Sequence, residues 1–271
     1  MRKLLILAFL IPGLNMMAQM NPVLKNRRGI AILPQQKDWC IGFGANPVFN
    51  YFGNMFNAST SNNGLNASFA APNKMIFAKY MKTNEMAYRV SFRLGFTNDV
   101  TTFNVKDMTP GAATDAVVTD KQKRNNSFIG LGFGIEKRKG TATRIQGFYG
   151  VEGLISYSSG DNINYEYGNG LEKLDTGLIR VKKLKSSSLF SIGCRGFAGV
   201  EYFIAPKFSI GAELGYGPSI GFRSASEQTT EQYDFWSTTT TSEVTVLSPK
   251  STVFTLDTDN YNGIVKLLFY F

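Results

Sequence analysis

The chain has 271 residues, with 29 Lys and Arg against 20 Asp and Glu and no histidine, for a formal charge of +9 at pH 7. Without an imidazole, Ser-His-Asp, Cys-His and other histidine-assisted acid–base mechanisms are excluded, because each needs that ring to carry the proton. Two cysteines with no Cys-x-x-Cys spacing give no support to a soft-metal centre.

The chain opens MRKLLILAFLIPGLNMMAQ: Arg2 and Lys3, an apolar stretch from Leu4 to Leu14, then Met16-Met17-Ala18 as a cleavage site before Gln19. This layout predicts a secretory signal peptide over residues 1–18. The stretch is too short to cross a bilayer as a helix, and it contains Pro12. Loss of Arg2 and Lys3 takes the charge from +9 to +7 and leaves about 253 residues, within reach of one β-rich domain. An exported chain places such excess lysine on solvated turns, so nucleic acid is not an expected partner. Residues 19–36 form an N-terminal arm ahead of the first strand.

Eight segments then alternate apolar with small or charged residues, the period of a β-strand. WCIGFGA sets Trp39, Ile41 and Phe43 against Cys40, Gly42 and Gly44, and MIFAKYM sets Ile76, Ala78 and Tyr80 against Phe77 and Lys79. AYRVSFRLGF puts Tyr88, Val90, Phe92, Leu94 and Phe96 opposite Arg89, Ser91, Arg93 and Gly95. IGLGFGIE opposes Ile129, Leu131, Phe133 and Ile135 to Gly130, Gly132, Gly134 and Glu136. RIQGFYGVEGLISY places Arg144, Gln146 and Glu152 on its polar face; FSIGCRGFAGVEY places Arg195 and Glu201 there, and FSIGAELGY places Glu213. The eighth, YNGIVKLLFYF, carries Val265, Leu267, Phe269 and Phe271 on one face.

The connections sort by parity. Short ones follow the second, fourth and sixth strands (82–86, 138–142, 205–207), and long polar ones follow the odd strands (51–74, 98–126, 158–187, 223–258). An antiparallel barrel whose ends face different compartments has this pattern. Glycine at 130, 132 and 134 suits a narrow interior better than a wetted strand face. Beyond the signal no apolar run is long enough for a membrane helix, so a membrane location requires a barrel. The expected fold is all-β: an eight-stranded antiparallel transmembrane β-barrel over 37–271, its apolar face on lipid. Arg89, Arg93, Arg144 and Arg195 share the lumen with Glu136, Glu152, Glu201 and Glu213, both signs being present because buried charge needs a partner.

On the signal peptide, the eight alternating strands and the ending Leu267, Phe269, Phe271, the sequence resembles the eight-stranded outer-membrane β-barrels of Gram-negative bacteria, OmpA/OmpX-like or PorT-like. The resemblance implies short periplasmic turns, long extracellular loops and location in the cell outer membrane. It also implies that Leu267, Phe269 and Phe271 form the C-terminal signal read by the outer-membrane assembly machinery; Lys266 departs from the glycine often found in such signals. It speaks to architecture far better than to activity.

No enzyme, cofactor or metal is expected. Glu136 with Glu152 is a conceivable carboxylate pair, but counter-ions to lumen arginines is the better reading. Cys40 faces inward and Cys194 outward on non-adjacent strands, so two free thiols are expected. Asp257 and Asp259 lack the spacing of a calcium loop. Gly130-Leu131-Gly132-Phe133-Gly134 is itself a strand with no helix after it, which excludes a phosphate loop.

The loops are the expected working surface. INYEYGNG with GLIRVKKLK suggests a hairpin extending strands five and six, and SEVTVLSPKSTVFTL suggests another around Ser248-Pro249-Lys250. The fourth loop holds Glu227, Glu231, Asp234, Glu243 and Asp257 against Arg223 and Lys250, a local charge of −3. Lys25, Arg27 and Arg28 of the periplasmic arm fall on the same side as Lys137 to Lys139. The expected function is non-catalytic: a structural, adhesive or envelope-assembly barrel touching outer-membrane lipid and an envelope protein through its loops. The alternative is a transport or small-ligand-binding barrel.

Overall fold

The computed structural model describes residues 23–44, 76–140, 143–174, 178–258 and 264–271. The expected signal peptide, the start of the arm, the first long connection and Asp259 lie outside them. Thirteen antiparallel strands form one sheet: β1 (Trp39–Gly44), β2 (Ile76–Thr83), β3 (Met86–Lys106), β4 (Val117–Lys139), β5 (Ile145–Ser158), β6 (Asn162–Glu166), β7 (Ile179–Lys185), β8 (Leu189–Ala205), β9 (Phe208–Arg223), β10 (Ser226–Asp234), β11 (Thr239–Ser248), β12 (Ser251–Thr258) and β13 (Ile264–Tyr270). No described helix is long and apolar enough to cross a membrane, which says nothing of strands.

Eight strands close on themselves. The pairings run β1–β2–β3–β4–β5–β8–β9–β13 and return from β13 to β1. Such a ring has no free edge. These are the eight strands marked by alternation, but the expected total of eight is too small. Five more lie in the long connections, and β3 and β4 stay paired out to Lys106↔Val117. The reason is chemical: TNDVTTFNVK and VVTDKQKRNN contain enough Thr and Val for a strand but lack a continuous apolar face. Beyond the ring, β3, β4, β6, β7, β10 and β11 make a crown on the long-connection end.

β6 pairs with β7 from Asn162↔Lys185 to Asn164↔Lys183, which is the first expected hairpin. The second is not formed. β11 pairs with β10 and β12 with β9, so Ser248-Pro249-Lys250 links two lengths of one extended path. Proline holds the residue before it extended and has no N–H to close a turn, so the chain carries straight on.

At the opposite end, short turns join β2 to β3, β4 to β5 and β8 to β9. Here the N-terminal arm folds into the ring's mouth. Ile32 and Leu33 pack with Cys40, Met81, Ala87, Phe203, Leu268 and Tyr270, and Lys207 N–H donates to the Ile32 carbonyl at 2.9 Å.

The ring is inverted relative to a water-soluble domain. Along β3, Leu94 is 65 % and Phe96 74 % exposed while Arg89 is 1 % exposed. Every ring strand adds to this outer apolar belt, from Trp39 and Ile41 on β1 to Phe269 on β13.

Candidate functional site: a charge network inside the ring

Alternation turns every second side chain of the ring inward, and those side chains meet in two layers. The layer nearer the crown centres on Glu213 of β9. It accepts from Arg89 Nη1 at 2.6 Å and Nη2 at 2.9 Å, from Lys266 Nζ at 2.6 Å and from Arg195 Nη2 at 2.9 Å. Glu152 of β5 accepts from Arg195 at 2.8 Å and from Ser91 Oγ at 2.6 Å, with Arg89 Nη2 3.3 Å away.

The layer nearer the short turns centres on Arg138. Its Nη2 donates to Glu201 at 2.6 Å, its Nη1 to Glu136 at 2.9 Å and to the Tyr270 hydroxyl at 2.8 Å, and its Nε to Gln146 at 3.0 Å. Lys79 Nζ donates to Glu136 at 3.0 Å, and Ser209 and Tyr270 both donate to Glu201. Aromatic faces fill the remaining space. The Arg89 guanidinium lies 4.3 Å from the Phe197 ring centre, and Lys266 Nζ lies 4.0 Å from that of Phe77. Cations over ring faces gain attraction that strengthens as water is excluded.

The glycines make these layers possible. A Cβ on Gly132 would stand 2.1 Å from Ser91 Oγ and 2.5 Å from Glu152 Oε1, displacing a bond of the network.

Arg89, Arg93, Glu136, Glu152, Arg195, Glu201 and Glu213 are all buried. Arg93 packs over the Phe128 ring at 4.1 Å. Arg144 is the exception among the expected lumen charges. It precedes β5, is only half-buried, and its Nη1 donates to the Ile204 carbonyl at 2.8 Å. Being at the turn, it escapes the alternation that would point it inward. Three cations were missing from the expected set: Lys79, Arg138 and Lys266. Parity would have found them, since Arg138 follows inward Glu136 by two and Lys266 separates outward Val265 from Leu267. Arg138 was concealed by the run Glu136-Lys137-Arg138-Lys139, which reads as a solvated turn.

Leu267, Phe269 and Phe271 turn outward at the short-turn end; Phe269 stacks on Phe208 at 4.6 Å, and Phe271 N–H donates to the Trp39 carbonyl at 2.9 Å. Cys40 is buried and Cys194 exposed, both as free thiols. Glu136 and Glu152 are not bonded to each other: Lys79 and Arg138 hold the first, Arg195 and Ser91 the second, and Arg89 stands 3.9 and 3.3 Å from them. Among the described residues no three or more of His, Cys, Asp and Glu gather as a metal site. Beneath the crown, Leu154, Ser156, Ser191, Arg195, Ser219 and Thr255 line a hollow of about 370 Å3. The arrangement binds opposite walls of the ring together.

No family model matches the sequence, and no curated protein matches it significantly. The resemblance to OmpA/OmpX-like or PorT-like proteins therefore rests on architecture alone.

Proposed function

We propose that this chain is an integral outer-membrane protein of a Gram-negative envelope, the ring being its eight-stranded transmembrane β-barrel. The short turns and arm face the periplasm and the crown faces outward. One observation carries the reading: a belt of exposed apolar side chains surrounds an interior of ion pairs. In water each such side chain forfeits about 1.5–3 kcal/mol of burial. A bilayer takes the belt into hydrocarbon and leaves the charges where they are partnered. The role is non-catalytic, structural, adhesive or in envelope assembly, and it falls to the crown, because lipid contact and lumen filling account for the wall. Leu267, Phe269 and Phe271 serve the assembly machinery during insertion.

The test is extraction of envelopes with carbonate, combined with gel mobility before and after heating. The protein should stay with outer membranes and run faster unheated. Recovery in the soluble periplasm would end the proposal. The hollow beneath the crown favours a second reading, a barrel that holds a small ligand. Steady planar-bilayer conductance would move the assignment from either of these to transport.

A further inference from the structure

The exposed charge is distributed unequally between the two ends. In the crown, cations meet carboxylates: Lys123 pairs with Glu166, Arg124 with Asp161, and Arg180 and Lys182 with Glu231. At the short-turn end Lys25, Arg27, Arg28, Lys82, Lys137 and Lys139 are all exposed. The side-chain carboxylates described on the surface there are Glu85 and Asp38, and Asp38 is held by Lys207 at 2.9 Å.

The height of these cations matters as much as their sign. On the outer face of β4 the apolar series Ile129, Leu131, Phe133, Ile135 gives way at Lys137 and again at Lys139. Lys137 stands in register between Met86 and Tyr149. Lys82 Nζ lies 5.4 Å from the Tyr88 ring centre. Cations thus begin one step beyond the belt, flanked by the amphipathic rings that favour a membrane–water interface.

The arm contributes a built element beside them. Asn26 Oδ1 accepts from Arg28 N–H and Ile30 N–H, both at 2.9 Å, and Gly29 supplies the φ of 78° that the turn requires. Arg27 and Arg28 are presented at the tip of this small hairpin, which Ile32 and Leu33 root in the ring. A tip ordered beforehand loses little conformational freedom on binding.

We propose that the short-turn end docks the phosphates of anionic phospholipid headgroups in the leaflet it faces. The inference rests on the membrane-spanning reading. A protein beneath the mouth would meet end-facing groups, whereas Lys137 and Lys139 leave the wall sideways, continuous with the lipid-facing belt. Interfacial lysines and arginines enrich anionic lipid, and salt weakens the effect.

The chain has two tryptophans, and Trp39 stands at this end with its ring centre 5.0 Å from that of Tyr80. The test uses the mature protein carrying Trp236→Phe, reconstituted in phosphatidylcholine vesicles. Brominated phosphatidylcholine or brominated phosphatidylglycerol is added at equal mole fraction, and quenching of Trp39 gives their relative association. The phosphatidylglycerol should be preferred about tenfold. The preference should fall towards unity when Arg27→Gln, Arg28→Gln, Lys137→Gln and Lys139→Gln are combined, with heat-dependent gel mobility retained as proof of folding. Equal quenching by both lipids, or an unchanged preference in a folded variant, overturns the docking surface while leaving insertion intact. Quenching by neither lipid overturns both.

Discussion

Arg89 and Glu213 meet inside the ring through two hydrogen bonds of 2.6 and 2.9 Å, although 124 positions separate them in the chain. They belong to β3 and β9, which do not pair, so the contact ties opposite walls. Glu213 also receives Lys266 and Arg195, making one carboxylate the counter-ion of three buried cations.

Glu213→Gln keeps the shape and removes the charge. Leaving buried cations without their counter-ion costs about 3–5 kcal/mol. Urea unfolding in detergent micelles should show that loss. Glu227→Gln on the crown is the control, because Glu227 and Lys185 are both substantially exposed and 3.4 Å apart. An exposed pair of this kind contributes about 0–1 kcal/mol. Equal effects of the two substitutions would mean that the interior pairs are not the fastening of the ring.

The ring is legible in the sequence because its two faces differ so sharply. Tyr88 to Phe96 announces a period of two, and the glycines and both signs of charge on the other faces of the ring strands tell which side is inside. The crown hides for the opposite reason: residues 97–106 and 117–126 mix polar and apolar side chains on both sides, so nothing in their pattern marks a face. Arg144 and Arg138 show where local context misleads. The first sits in an alternating string but before the strand begins, and the second sits in a basic run but within the strand. The plugging role of Ile32 and Leu33 has no local signal, because it depends on where the ring's mouth lies.

Two glycines on β5 test the packing of the wall. A Cβ on Gly150 would stand 2.0 Å from the Ile135 carbonyl oxygen and 2.6 Å from Phe197 Cζ, whereas on Gly153 its nearest neighbour is the Phe133 carbonyl oxygen at 3.9 Å. Gly150→Ala should cost about 1–3 kcal/mol through displaced backbone and ring. Gly153→Ala should be nearly neutral in the same unfolding assay. A neutral Gly150→Ala would place β4 and β5 farther apart than the structure has them.

The thiols report the two environments of the wall. Cys194 faces out at the level of Gly153 and Phe133, and Cys40 is fully buried behind Ile32 and Tyr270. In bilayers a charged maleimide should leave Cys194 unmodified, because the thiolate that reacts needs water beside it, and Cys40 should not react until the protein is unfolded. Rapid labelling of Cys194 by the charged reagent would put that face in water and count against insertion.

The crown should loosen in acid, and Glu231 shows why. Burial opposes its ionisation, but hydrogen bonds from Arg180 and Lys182 outweigh burial and hold its carboxyl below the usual carboxylate range. Arg180 Nε donates to it at 2.7 Å and stays ordered between the Tyr167 ring, 4.2 Å away, and the Asn169 carbonyl. Asp161 is depressed in the same direction, by its bonds from Arg124 and Asn126. A carboxyl whose pKa is lower folded than unfolded contributes stability that is complete above the unfolded value, about 4.3 for Glu, and lost as pH falls through the folded one. Hydrogen exchange of β7 and β10, corrected for intrinsic rates, should therefore lose protection as pH falls from neutral to below the unfolded carboxylate value. Glu231→Gln should bring part of that loss to neutral pH, about fivefold in protection or about 1 kcal/mol, and flatten the acid dependence. Equal protection of β10 at both ends of that range in the parent would mean that the Glu231 pair does not hold the crown.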